Sequence, residues 1–177
     1  MFGKYNGVKA HIHSLNESAR FVPCAAHTLN LVGVHAAEVS PLMITFFGKV
    51  QAIFNFFSNF TSRWEKLMKT LTISLNGNSD TRWSAKKEAI TPLHRQIKDV
   101  LQVLESIIHN PMTNAVTVSS AKELLIYIDF SFLCLLGFWC QILSLIDREN
   151  KLLQSKTISI DIAAKKMKWL KASIQNF

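Results

Sequence analysis

The sequence predicts a mainly α fold, and three observations support this. Apolar residues recur three and four apart along most of the chain, which is the period of a helix face. Glycine and proline number only 6 and 4 among 177 residues, too few for an all-β chain built on tight turns. Apolar residues make up 49% and charged residues 18%, a composition able to bury a core rather than stay disordered. The pattern gives about seven helices and at most one or two short strands. It contains no internal repeat and no low-complexity segment.

Residues 4–15 read as a helix with Tyr5, Val8 and Ile12 on one face. Asn16-Glu17-Ser18 is a turn, and residues 20–24 form a short strand candidate whose Pro23 suits a strand end. A helix over 25–37 places Leu29, Val32 and Ala36 together. The next helix begins at Ser40-Pro41, where a proline loses nothing by lacking an N–H. Its face of Phe47, Val50, Phe54 and Phe57 shifts phase at Ser58-Asn59 and resumes as Phe60, Trp64, Leu67 and Leu71. That slip predicts two helices, with Ser62 and Glu65 as a capping box for the second.

Asn76-Gly77-Asn78 marks a loop. A short helix over 81–90 is expected to restart at Thr91-Pro92. The restarted helix carries Leu93, Ile97, Val100, Leu101, Leu104 and Ile108, and ends at Asn110-Pro111. Ser120 and Glu123 form a second capping box before one long apolar helix running to about residue 150. Its stretch 124–146 is long enough to span a bilayer. Asp129, Ser131, Gln141 and Ser144 interrupt it, so it reads as a core helix rather than a membrane span. A last helix follows Thr157, with Ile158, Ile162, Met167, Leu170 and Ile174 inward and Lys165, Lys166, Lys168 and Lys171 outside.

The length fits one domain, or one domain plus part of another. The net charge of +8 favours contact with polyanions. Cys24, Cys134 and Cys140 are odd in number and widely spaced, which points to a reducing compartment rather than a disulfide framework. The first residues lack the apolar run of a secretory signal, so Asn59-Phe60-Thr61 carries little weight as a glycosylation acceptor.

Cys24-x-x-His27 has metal-like spacing but supplies half a zinc set, with His11-x-His13 as the sole nearby complement. The same pair offers a thiol at a helix start beside an imidazole, but a nucleophile and its base usually come from separate segments and nothing in the sequence suggests a substrate cleft. The plainer reading makes Cys24 a small packed side chain and His27 a polar residue at a helix start. In Asp80-Thr81-Arg82-Trp83, an acid or threonine caps a helix. Arg82 and Trp83 then pair a phosphate-binding guanidinium with a ring able to stack an unpaired base. Trp83 is equally a core residue by type. The twelve acids are scattered, and none forms the convergent triad that two-metal phosphoryl transfer requires.

Three ordered stretches carry a resemblance. They are Gly3-Lys4-Tyr5-Asn6-Gly7-Val8, Cys24-Ala25-Ala26-His27-Thr28-Leu29-Asn30-Leu31 and Ser79-Asp80-Thr81-Arg82-Trp83-Ser84-Ala85. In this order and spacing they resemble signatures of hAT-superfamily transposases, in the branch of zinc finger MYM-type and TTF-type transposase-derived proteins. Phe47-Gly48, Arg63-Trp64 and the stretch 152–157 resemble that branch too, so the likeness covers nearly the whole chain.

The resemblance implies a ribonuclease-H-like core interrupted by a large helical insertion. Residues 1–38 would be a remnant of that core, with a remnant strand near 20–24, and residues 39–177 the insertion. It also implies two aspartates and a glutamate that hold Mg²⁺ or Mn²⁺ and cut DNA. Both aspartates would precede Met1, and no position after Thr157 matches the glutamate, so no metal or other cofactor is expected. Cys24 and His27 match the family's Cys/Asp-x-x-His motif, a structural element beside the catalytic core. Arg82 and Trp83 match its Arg–Trp motif, whose tryptophan stabilises a displaced base. Lys86 and Lys87 complete the expected DNA-binding set.

The expected function is that of a truncated, domesticated transposon fragment, catalytically inactive and nuclear rather than cytoplasmic. It would retain binding to DNA, or to a related transposase-like protein, and would not engage a membrane. The alternatives are a subunit of an active transposase or nuclease completed by another chain, and a structural or membrane-associated helical protein.

Overall fold

The computed structural model describes residues 7–21, 24–78, 83–155 and 157–176. Among these residues the chain is mainly helical, with nine helices and no strand. Of the strand expected over 20–24, Arg20, Phe21 and Cys24 have irregular backbone, and Val22 and Pro23 lie outside the described residues.

Helix α1 spans Val8–Leu15 and α2 spans Ala25–Glu38. Next come α3 (Pro41–Ser58) and α4 (Thr61–Met68), divided where the apolar face slips phase. Phe46, Phe47, Val50, Ile53, Phe56 and Phe57 make α3 a core helix. Residue Phe60, not a serine, occupies the N-cap of α4, and no side chain closes it, so the expected Ser62–Glu65 box does not form.

Helix α5 (Trp83–Arg95) runs through Pro92 instead of restarting there. A proline inside a helix withholds an N–H from the carbonyl four residues back. That carbonyl, on Glu88, instead accepts from Asn76 Nδ2 at 3.3 Å. The break comes at Gln96, before α6 (Ile97–Ile108). Gln96 is buried, and its Oε1 accepts from Thr72 N at 2.7 Å, Thr72 Oγ1 at 3.0 Å and Ile73 N at 3.0 Å. Its Nε2 donates to Ile73 O at 2.7 Å and to Pro92 O at 3.4 Å. One side chain thus ties the 71–78 loop to the bend.

The single long helix expected to begin near Ser120 is instead two, α7 (Ala115–Tyr127) and α8 (Phe130–Leu153). Asn114 caps α7 by accepting from Thr117 N at 2.8 Å. Asp129 caps α8 by accepting from Phe132 N at 2.7 Å. The acid read as an interruption is therefore a helix start, which is what a short carboxylate does best. Lys49 on α3 secures the break, donating to Tyr127 O at 3.1 Å and pairing with Asp129 at 3.5 Å.

Helix α9 (Ile160–Gln175) closes the fold, capped by Ser159 and anchored by buried Leu170. One continuous core reaches from Leu29 on α2 to Leu170 on α9. The expected domain boundary at 38/39 therefore passes between two helices that share this core.

Candidate nucleic-acid interface

The two motif stretches meet in space. Asn30, in the stretch 24–31, accepts from the Trp83 N–H of the stretch 79–85 at 3.0 Å. This bond satisfies an amide in the opening turn of α5 and pins that turn to α2. Arg82, together with Ser79, Asp80 and Thr81, lies outside the described residues.

Trp83 itself points inward and is 5% exposed. Its ring lies 5.6 Å from that of Trp139, tilted 30°. Trp139 in turn lies 5.3 Å from Phe47. One turn along α5, Lys86 is 3% exposed, with Nζ 4.4 Å from the Phe47 ring centre. A cation over an aromatic face keeps part of the stabilisation it gives up with water. Lys87 pairs with Asp147 on α8 at 2.6 Å. In this arrangement Trp83, Lys86 and Lys87 join α5 to α3 and α8; Trp83 and Lys86 are buried, and Lys87 is part-exposed with its amine paired.

Cys24 sits at the N-cap of α2 and is exposed, as is His27. The Cys24 carbonyl accepts from Thr28 N and Oγ1, which are bonds of helix initiation. Among the described residues no group of three or more His, Cys, Asp or Glu side chains could hold a metal ion. The divalent ion that the transposase resemblance implies therefore has no fitting donor set there.

A cleft that sequence reasoning missed lies between α8 and α9. It has a volume of about 620 Å³ and is lined by Arg148, Glu149, Leu152, Lys165, Lys166 and Trp169. The Arg148 guanidinium lies 4.7 Å from the Trp169 ring centre. Its Nε donates to Glu149 Oε1 at 3.1 Å. Glu149 is 1% exposed, and its Oε2 is buried without a hydrogen-bond partner. The carboxylate thus holds the guanidinium by one edge. Lys165 stands one helical turn before Trp169, on the same side of α9. The sequence signal was present: an aromatic set in a lysine-rich helix at that spacing.

In comparisons with known protein families, curated proteins and solved structures, nothing matches this chain. Its chemistry must therefore be read from the geometry. A second basic cleft, of about 500 Å³, is lined by Lys9, His13, Arg20 and Phe21 near α1, with Lys9 Nζ 5.1 Å from the Phe21 ring centre. Among the described residues no buried side chain is seen to orient its cations. In the α8–α9 cleft Glu149 does so, which makes it the better formed of the two.

Proposed function

We propose that this chain is a helical domain of the hAT transposase lineage that acts by binding nucleic acid. On this reading residues 39–177 are the insertion of a ribonuclease-H-like enzyme and residues 1–38 a remnant of its core. The nucleus is the expected location. The three ordered motifs support the lineage, as does the Asn30–Trp83 bond that links two of them. The observation that carries the binding is the α8–α9 cleft, lined by three cations, one buried carboxylate and a half-exposed tryptophan.

The test is DNA affinity measured across a salt series. Each lysine or arginine bound to phosphate releases counterions, so log affinity should fall linearly with log salt. A flat salt dependence would remove the proposal. Incubating DNA with the chain and Mg²⁺ should leave it uncut, and Mg²⁺-dependent cutting would show an enzyme instead.

One observation favours a second reading, a membrane-associated protein. Helix α8 has the length and mean hydropathy, 24 residues and 1.8, to cross a bilayer, with a third of its apolar window buried. Phe130 is 81% exposed. Arg148, Glu149 and Lys151 near its end favour a soluble helix. Recovery of the chain from cells only with detergent would decide for the membrane.

A further inference from the structure

Resting on that nucleic-acid reading, we infer that the α8–α9 cleft is a stacking site for an unpaired base, giving the chain a preference for single strands over duplex. Trp169 is 45% exposed, while Trp83 and Trp139 are 5% and 7% exposed and held in the core. A large ring left half in water beside three cations is poorly explained by packing alone. Arg148, itself 55% exposed, lies over one face of this ring and caps it with a planar cation. Bases stack on guanidinium planes as well as on aromatic rings.

Glu149 contributes by position. Its bond occupies Nε and leaves the two terminal nitrogens of Arg148 for a ligand. Removing Glu149 would free the guanidinium to swing off the ring. Lys165 and Lys166 both lie one helical turn before Trp169 on α9 and line the same cleft, placed to meet a phosphate next to a stacked base. A duplex would satisfy the lysines but offer the ring nothing, because its bases are already stacked on one another. The ring is therefore the part of the cleft that separates the two ligands.

The experiment measures affinity for fluorescently labelled oligothymidylate about 12 nucleotides long and for a duplex of equal length. The wild-type chain should prefer the single strand. Trp169→Ala should weaken single-strand binding by about 5- to 150-fold and leave duplex binding within twofold. Trp169→Phe, which keeps a ring, should retain most of the affinity, and it also guards against a folding defect. Lys165→Ala with Lys166→Ala should weaken both ligands. Equal affinity of the wild type for the two ligands, or equal loss on both in Trp169→Ala, overturns the stacking site and leaves general polyanion binding intact. No salt-sensitive binding to either ligand overturns the nucleic-acid reading itself.

Discussion

Gln96 shows how much one buried amide holds. It offers one acceptor and one donor group to five partners around the 71–73 backbone and Pro92. In Gln96→Leu the shape is nearly kept, but the amides of Thr72 and Ile73 lose their acceptor. Leaving fully buried backbone groups unpaired costs about 1–3 kcal/mol each, and these amides are only part-buried, so a loss of about 1–3 kcal/mol is expected in urea unfolding. A change under about 0.5 kcal/mol would mean that water replaces the amide. Trp83 makes the complementary case. As a core residue stacked on Trp139, it should cost about 3–5 kcal/mol when cut to alanine, with nucleic-acid affinity of the remaining folded protein unchanged. Loss of affinity without loss of stability in Trp83→Ala would restore it as a base contact.

At the scale of elements, α5 and α8 are joined by a charged link with a pH signature. Burial pushes the Asp147 carboxyl up, but hydrogen bonds and charge from Lys87 and Lys151 outweigh it, so its pKa lies below the ordinary value. Asp129 is lowered too, chiefly by the Phe132 amide. A carboxylate with a depressed folded pKa stabilises the fold above its unfolded pKa of about 3.9, and this is lost as pH falls through the folded value. Melting temperature should therefore drop between about pH 5 and pH 2. Asp147→Asn should cost about 1–3 kcal/mol at neutral pH and flatten part of that drop. An unchanged acid profile in Asp147→Asn would show the link to be idle.

The same elements show what was legible in the sequence. The faces of α3 and α6 were readable because periodicity and burial coincide there: Val50, Phe57, Val100 and Leu104 are buried as the pattern predicts, whereas on α9 only Leu170 of the expected inward face is buried and Ile162 and Ile174 are exposed. The α7–α8 break was not, because apolar residues continue across Ile128 and no phase change marks it. Only the Asp129 cap does, and a cap looks like any acid until its amide partner is seen. Pro92 misled for a related reason. The Glu88 carbonyl that it orphans is met by Asn76, from a loop that local pattern cannot place. The fate of Trp83 and Lys86 depended on Trp139 and Phe47, which are remote in sequence, and no spacing rule joins them.

Across the whole molecule, stability should be concentrated between α2 and α9. Helix α1 has no buried residue, and its Val8, Ile12 and Leu15 are 56%, 51% and 78% exposed. An eight-residue helix is too short to persist on its own propensity, so its order depends on the contacts it makes. One contact there is Lys9 against Phe21, a surface pair that adds little. Deleting residues 1–20 should therefore lower the melting temperature by no more than about 2–4 °C, which for a chain of this size is about 1 kcal/mol. Leu170→Ala is the contrasting case. It removes a 2%-exposed side chain that fastens α9 to the core, and should cost about 2–5 kcal/mol. Because α9 also forms one wall of the basic cleft, that variant should lose single-strand affinity as α9 loosens, whereas the deletion should keep it. If the deletion unfolds the chain, α1 belongs to the core and the centre of stability lies further toward the N-terminus than the buried residues indicate.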